Sequence, residues 1–91
     1  MIKSWRHKGL KELFATGDSR RIRPDLKARA LRRLDRLNAA ENTAQVNIPG
    51  FDFHPLRCKP QRYSIHVNGP WCITFAWHGA DAIEVDFEQY H

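Results

Sequence analysis

The sequence predicts an α+β domain in which two helices pack on one face of a small, antiparallel-rich sheet. Two observations carry this prediction. Leucines recur at helical spacing in two segments of the N-terminal half, whereas three segments of the C-terminal half alternate apolar and polar residues. Short turn sequences separate the alternating segments, which favours antiparallel neighbours. At 91 residues the chain is predicted to be a single domain, residues 1–91, with one core.

The N-terminal half is predicted to contain a short edge strand and both helices. Residues 2–5 alternate, as an edge strand does, and residues 8–14 form a first helix that Thr16-Gly17-Asp18 ends. A second helix is expected from Pro24 to about Ala39, since proline suits the first turn of a helix. Its core-facing stripe spans about 80° of a helical wheel. That stripe consists of Leu26, Ala30, Leu34 and Leu37.

The C-terminal half is predicted to be sheet. The apolar positions of the three strands are Tyr63, Ile65 and Val67, then Trp71, Ile73, Phe75 and Trp77, then Ile83, Val85 and Phe87. Helices laid on this apolar face leave the other face open. By parity, the open face includes Ser64, His66, Cys72 and Thr74. Pro55 cannot belong to a regular central strand, so His54 is expected at a free edge.

Positive charge is concentrated at the N-terminus. Residues 1–40 carry twelve Lys and Arg against four acidic residues, and the net charge of the whole chain is +5. Such segregation indicates a polyanionic partner, although a basic soluble protein is an equally simple interpretation. Arg29, Arg32 and Arg36 gather on one side of the second helix. This arginine ridge is either a phosphate-facing or acidic-partner surface, or an ordinary solvated helix face.

Several classes of function are excluded or disfavoured. No apolar run approaches the roughly 18–20 residues that span a membrane, and no signal-peptide core is present, so no membrane partner is expected. Cys58 and Cys72 fit neither a disulfide framework nor a metal motif, which favours the reducing cytoplasm. His66 and Cys72 straddle a turn too loosely for a metal site.

The sequence contains histidines, a tyrosine and basic residues that could together cleave a phosphodiester. RNA cleavage without a metal needs one group to take the 2′-hydroxyl proton, another to protonate the leaving oxygen, and cations at the phosphate. Histidine suits both proton transfers because its unperturbed pKa is about 6.5. The candidate catalytic residues are His54, Tyr90 and His91, and the candidate RNA- or phosphate-binding residues are Arg57, Lys59 and Arg62. His7 and His78 are expected to be structural or solvated.

The sequence resembles the HigB toxins, the killer proteins of bacterial type II toxin–antitoxin modules in the RelE-like superfamily. The resemblance rests on residues 2–10 (IKSWRHKGL), 54–57 (HPLR), 71–75 (WCITF), 79–82 (GADA) and the closing Tyr90-His91. It implies a sheet with two helices on one side and an endoribonuclease that cleaves mRNA on the ribosome, inhibiting translation, with no cofactor. It also implies a HigA-like helix-turn-helix antitoxin as partner, and contact with operator DNA only through that antitoxin. Finally, it implies catalytic roles for His54, Tyr90 and His91.

The chain departs from the family pattern at three positions. Family members carry an acidic residue at the position of Gln89, and commonly Asn-Trp-Arg where this chain has Pro70-Trp71-Cys72. These departures predict attenuated activity or an altered sequence preference. They also keep open the alternative of a decayed toxin that acts only as an antitoxin-bound co-repressor. A separate alternative is a non-catalytic RNA- or ribosome-binding module, in which the arginine ridge matters and the histidines do not.

Overall fold

The computed structural model describes residues 1–89 and confirms the α+β fold class. Helix α1 spans Lys8–Thr16, helix α2 spans Pro24–Ala39, and a 3₁₀ turn spans Thr43–Val46. The strands are β1 His54–Pro55, β2 Tyr63–Asn68, β3 Trp71–His78 and β4 Asp81–Gln89. They form one antiparallel sheet in the order β1-β2-β3-β4. Neither helix of the described part is both long and apolar enough to cross a membrane.

The hydrophobic core lies between the two helices and one face of the sheet. Helix α1 contributes Leu10 and Leu13, helix α2 contributes Leu26, Ala30, Leu34 and Leu37, and the sheet contributes Ile65, Val67, Ile73, Phe75 and Val85. All of them are at most 2% exposed, which confirms the stripe predicted for α2. Burial of this apolar surface is the main stabilising force in the domain. It also leaves the opposite face of the sheet for function.

An extra residue in β4 changes the alternation that the sequence predicted. The strand pairs Thr74 with Asp86 and Ala76 with Ile83, so Glu84 and Val85 together face Phe75. This is a β-bulge, and Glu84 has a φ of 51°. Because the bulge shifts the side-chain parity, Ala82 is buried with Val85 and Phe87, whereas Ile83 is only half-buried. The prediction that Ile83 shares a face with Val85 and Phe87 was wrong for this reason.

The sequence predicts an edge strand at residues 2–5. In the structure this N-terminal segment does lie along the edge of β4, but it does not form a continuous strand. It makes two separate parallel bridges, between Ile2 and Ala82 and between Trp5 and Val85. Between them, the Glu84 backbone N–H donates to the Ser4 side-chain oxygen at 2.8 Å. The bulge therefore interrupts the ladder, and the Ser4 hydroxyl takes the place of a backbone acceptor.

His7 has a structural role, as the sequence predicted. Its Nδ1 accepts the backbone N–H of Leu10 at 3.1 Å and caps α1. The ring meets Phe87 of β4 edge-on, with centroids 5.9 Å apart. Gly9 makes room for this arrangement, because a Cβ there would lie 2.7 Å from both the His7 ring and Cβ of Arg21. His7 thus joins α1 to β4.

Acidification is expected to destabilise the fold through His7. Burial lowers the pKa of the His7 imidazole against the opposing attraction of Asp86. In the unfolded chain the imidazole has a pKa of 6.5 and therefore binds a proton more readily than in the folded chain. The stability that neutral His7 contributes above pH 6.5 is therefore lost as the pH falls toward the lower pKa of the folded state. His7→Asn keeps a capping oxygen without titrating. Urea denaturation should show a shallower pH dependence for this variant between about pH 7.5 and 5.5, and an unchanged dependence would contradict the assignment.

Candidate active site

His54 lies at the free edge of the sheet, as predicted. Strand β1 contains only His54 and Pro55, and it pairs with β2 through His54 and Ser64. Pro55 has no N–H to donate, so it is tolerated at an edge strand. The Leu56 backbone N–H, which donates to the Arg62 carbonyl at 2.8 Å, continues the pairing by one residue. The His54 side chain is exposed. The described part of the chain therefore leaves the imidazole accessible to a substrate.

A hydrogen bond fixes the tautomer of the His54 ring. Nδ1 lies 2.8 Å from the backbone oxygen of Asp52. Because a carbonyl oxygen only accepts hydrogen bonds, Nδ1 is the nitrogen that carries the hydrogen. The neutral ring then has its lone pair on Nε2, the nitrogen that faces away from this contact. His54 is therefore arranged to accept a proton at Nε2.

The strand register places His54 on the face of the sheet opposite the helices. His54, Ser64, Thr74 and Asp86 are successive cross-strand partners. Directly paired residues of antiparallel strands project on the same side of the sheet, so the four side chains form one row. This row crosses the whole sheet and connects the edge carrying His54 to the last strand. We call this surface the His54 face.

The His54 face is less open than the sequence predicted. Ser64, Cys72 and Thr74 are each at most 7% exposed, and only His66 of the four expected residues is partly exposed. Arg62 covers part of this face, because its side chain extends over it to Thr74. The accessible part of the face is therefore concentrated near its edges.

Arg62 is held inside the protein. It is 8% exposed, and its Nη2 donates to Thr74 Oγ1 at 3.1 Å and to the backbone oxygen of Glu84 at 2.9 Å. The Thr74 hydroxyl in turn donates to the carboxylate of Glu88. This differs from the expectation that Arg62 contacts phosphate, because its guanidinium is withdrawn from solvent. The geometry instead supports a structural role across β2, β3 and β4.

The other two predicted cations, Arg57 and Lys59, are exposed on the loop between β1 and β2. The side-chain amide of Gln61 closes this loop by donating to the backbone oxygens of Leu56 and Arg62, at 2.9 and 2.7 Å. The loop borders a shallow surface groove with a volume of about 590 Å³. It is lined by Pro55, Leu56, Arg57, Cys58, Lys59 and Gln61. Two cations and a shallow groove thus follow His54 directly along the chain, a suitable arrangement for a phosphate backbone.

Tyr90 and His91, the remaining predicted catalytic residues, lie outside the described residues. The last described residue of β4, Gln89, pairs with Trp71 at the β2–β3 turn. Gln89 stands where the resemblance leads us to expect an acidic residue, and one residue earlier Glu88 presents a carboxylate on the His54 face. The sequence pattern indicates no role for Glu88, although the alternation with Phe87 indicates which face of the sheet Glu88 occupies.

The four arginines at the middle of α2 divide into two groups. Arg29, Arg32 and Arg36, the predicted ridge, are exposed. Arg33 instead turns toward the sheet and donates hydrogen bonds to the backbone oxygens of His66 in β2 and of Gly50 in the loop that precedes β1. Burial, together with the positive charges of Arg29 and Arg32, lowers the pKa of Arg33. The helical wheel had placed Arg33 between the ridge and the apolar stripe, and this was the one sequence indication of its different role.

Comparison with known proteins agrees with this architecture. The family described as "RelE-like toxin of type II toxin-antitoxin system HigB" matches residues 3–91. The chain is also 36% identical, over 92 aligned residues, to the protein named endoribonuclease HigB from Proteus vulgaris, and the alignment covers 100% of both chains. A family match of this extent and a relative of this similarity assign the family. The chain belongs to the HigB-like toxins of type II toxin–antitoxin systems, which confirms the resemblance found in its sequence.

Proposed function

We propose that this chain is the toxin endoribonuclease of a type II toxin–antitoxin module and cleaves mRNA by acid–base chemistry without a metal. The observation that carries the proposal is the exposed His54 imidazole, whose Nδ1 is bonded to the Asp52 carbonyl and whose Nε2 can therefore accept a proton. Membership of the HigB-like toxins and the similarity to a protein named endoribonuclease HigB support RNA as the substrate.

The proposed reaction is an internal transfer followed by release. His54 Nε2 takes the proton of a ribose 2′-hydroxyl, and the 2′-oxygen attacks the adjacent phosphorus. The bond from phosphorus to the 5′-oxygen breaks, and that oxygen receives a proton from Tyr90 or His91. The products are a 2′,3′-cyclic phosphate and a 5′-hydroxyl. Arg57 and Lys59 stabilise the negative charge that develops on the phosphate oxygens, as preorganised cations do in other phosphoryl transfers.

The family and the charge of the chain support the proposed partners. We propose a HigA-like helix-turn-helix antitoxin, contact with operator DNA only through that antitoxin, and ribosome-bound mRNA as the substrate. The net charge of +5 suits association with RNA, since each neutralised phosphate releases counterions. Both cysteines are unpaired, which is compatible with action in the cytoplasm.

A modified RNA substrate tests the proposed chemistry. An RNA oligonucleotide with a single 2′-deoxy nucleotide at the cleaved position should resist the protein completely, because it lacks the attacking hydroxyl. The unmodified oligonucleotide should give a 2′,3′-cyclic phosphate, detected by mass spectrometry, at the same rate with or without EDTA. Cleavage of the deoxy substrate, or loss of cleavage in EDTA, would overturn the proposal. If only ribosome-bound mRNA is cleaved, the same substitution is placed in a programmed ribosome complex.

A further inference from the structure

Arg33 of α2 contacts the loop of residues 47–53, which precedes His54, at two points and strand β2 at a third. Its Nε donates to the backbone oxygen of His66 in β2 at 2.7 Å, and its Nη2 donates to that of Gly50 at 3.3 Å. Its guanidinium carbon also lies 4.7 Å from the centroid of the Phe51 ring, a cation–π distance. One side chain thus connects the loop, the sheet and helix α2.

The loop held in this way has an unfavourable backbone. Gly50 has a φ of 90° and Asp52 a φ of 46°, so the chain passes through the left-handed region twice within three residues. Glycine adopts that region easily, but aspartate does so at a cost that surrounding contacts must offset. Phe51 supplies one such contact, because it is 7% exposed and its backbone oxygen accepts the His66 N–H at 2.6 Å.

The left-handed turn at Asp52 has a direct effect on His54. It presents the Asp52 carbonyl oxygen to His54 Nδ1 at 2.8 Å, the contact that leaves Nε2 as the proton acceptor. Loss of the turn would release this carbonyl and allow the ring to rotate or to change tautomer. A side chain that keeps Gly50 and Phe51 in place therefore also controls the nitrogen that His54 offers to the substrate.

We propose that Arg33 is a positioning residue for the catalytic histidine: by clamping Gly50 and Phe51 onto β2, it holds the Asp52 carbonyl where it fixes the Nδ1–H tautomer of His54. This inference rests on the proposed function for its kinetic consequence. The tautomer itself is a property of the free protein. The arginines of the neighbouring ridge do not share the positioning role of Arg33, since they are exposed on α2 and face solvent.

The test combines NMR of the His54 ring nitrogens with kinetics. Long-range ¹H–¹⁵N spectra of the wild-type chain should show the Nδ1–H tautomer for His54. Arg33→Gln should convert this to a mixture of tautomers and lower kcat by about 10- to 100-fold, with a smaller change in KM, since misplacement of a catalytic group has effects of this size. Arg33→Lys keeps the charge but loses the planar fork, and it should reproduce the change in tautomer.

The matched control is Arg32→Gln, which removes an exposed arginine from the adjacent position of the same helix. It should leave the His54 nitrogen signals as in the wild type. Thermal unfolding identifies the folded variants. If Arg33→Gln does not fold, the His54 tautomer and kcat are measured on Arg33→Lys instead. A pure Nδ1–H tautomer and unchanged kcat in a folded Arg33 variant would overturn the inference. A tautomer change in a chain whose wild type cleaves no RNA would support the positioning role and reject the proposed function.

Discussion

Replacing His54 with alanine should slow RNA cleavage by about 10²- to 10⁴-fold, the range that general acid–base catalysis supplies. The imidazole is exposed at an edge strand, and within residues 1–89 its hydrogen bond is to the backbone of Asp52, so its removal should leave the core and the fold intact. Cleavage of ribosome-bound mRNA gives the rate, and growth arrest on induced expression gives a second readout.

His78→Ala is the matched control for this prediction. His78 is likewise an exposed histidine of the sheet, at the end of β3, but it lies outside the predicted site. The His78 variant should cleave RNA and arrest growth as the wild type does. If His54→Ala cleaved at the wild-type rate, the site assignment would fail, and the RNA-binding-module hypothesis would then be tested on Arg29, Arg32 and Arg36. Absence of growth arrest with the wild type would favour the decayed toxin.

Arg62→Ala should lower the free energy of unfolding by about 2–4 kcal/mol. The guanidinium is 8% exposed, and its removal leaves Thr74 and the Glu84 carbonyl without their donor in a place that solvent does not reach freely. It also leaves a cavity where the side chain crosses the His54 face. Urea denaturation measures the loss, provided that the m-value is unchanged.

Arg57→Ala is the counterpart at the surface. Arg57 is exposed on the loop after β1, so the stability cost should stay within about 0.5 kcal/mol, whereas KM for RNA should rise. The two arginines were assigned the same role from the sequence and should thus separate into a structural and a binding residue. Equal stability losses would refute this division.

The fold could be predicted from the sequence because each helix and each main strand has its own periodic pattern. The stripe from Leu26 to Leu37 matches the buried face of α2, and Pro24 marks its first residue. The bulge at Glu84 could not be predicted, because alternation alone does not reveal a residue that is added to one strand only. The broken N-terminal strand follows from the same cause, since the bulge divides its pairing partner.

The edge position of His54 was predictable from the sequence, but the burial of the residues around it was not. The edge position of His54 followed from Pro55, which no central strand accommodates. The sequence could not show that Arg62 turns inward. The sequence around an arginine next to a strand is the same whether its side chain contacts a phosphate or, as here, Thr74. The helical wheel set Arg33 apart from the ridge, but it could not identify the hydrogen bonds of Arg33, because backbone oxygens accept them and leave no mark on the residue types around them.

The shortness of β1 has a consequence for self-association. A long, regular edge strand offers unpaired N–H and C=O groups to any other chain, and it can recruit that chain into a continuous sheet. Here the edge consists of two residues, one of which is a proline without an N–H. A second copy of the protein therefore finds almost no ladder to extend at the place where RNA is proposed to approach. The edge that presents His54 is in this way also protected against aggregation.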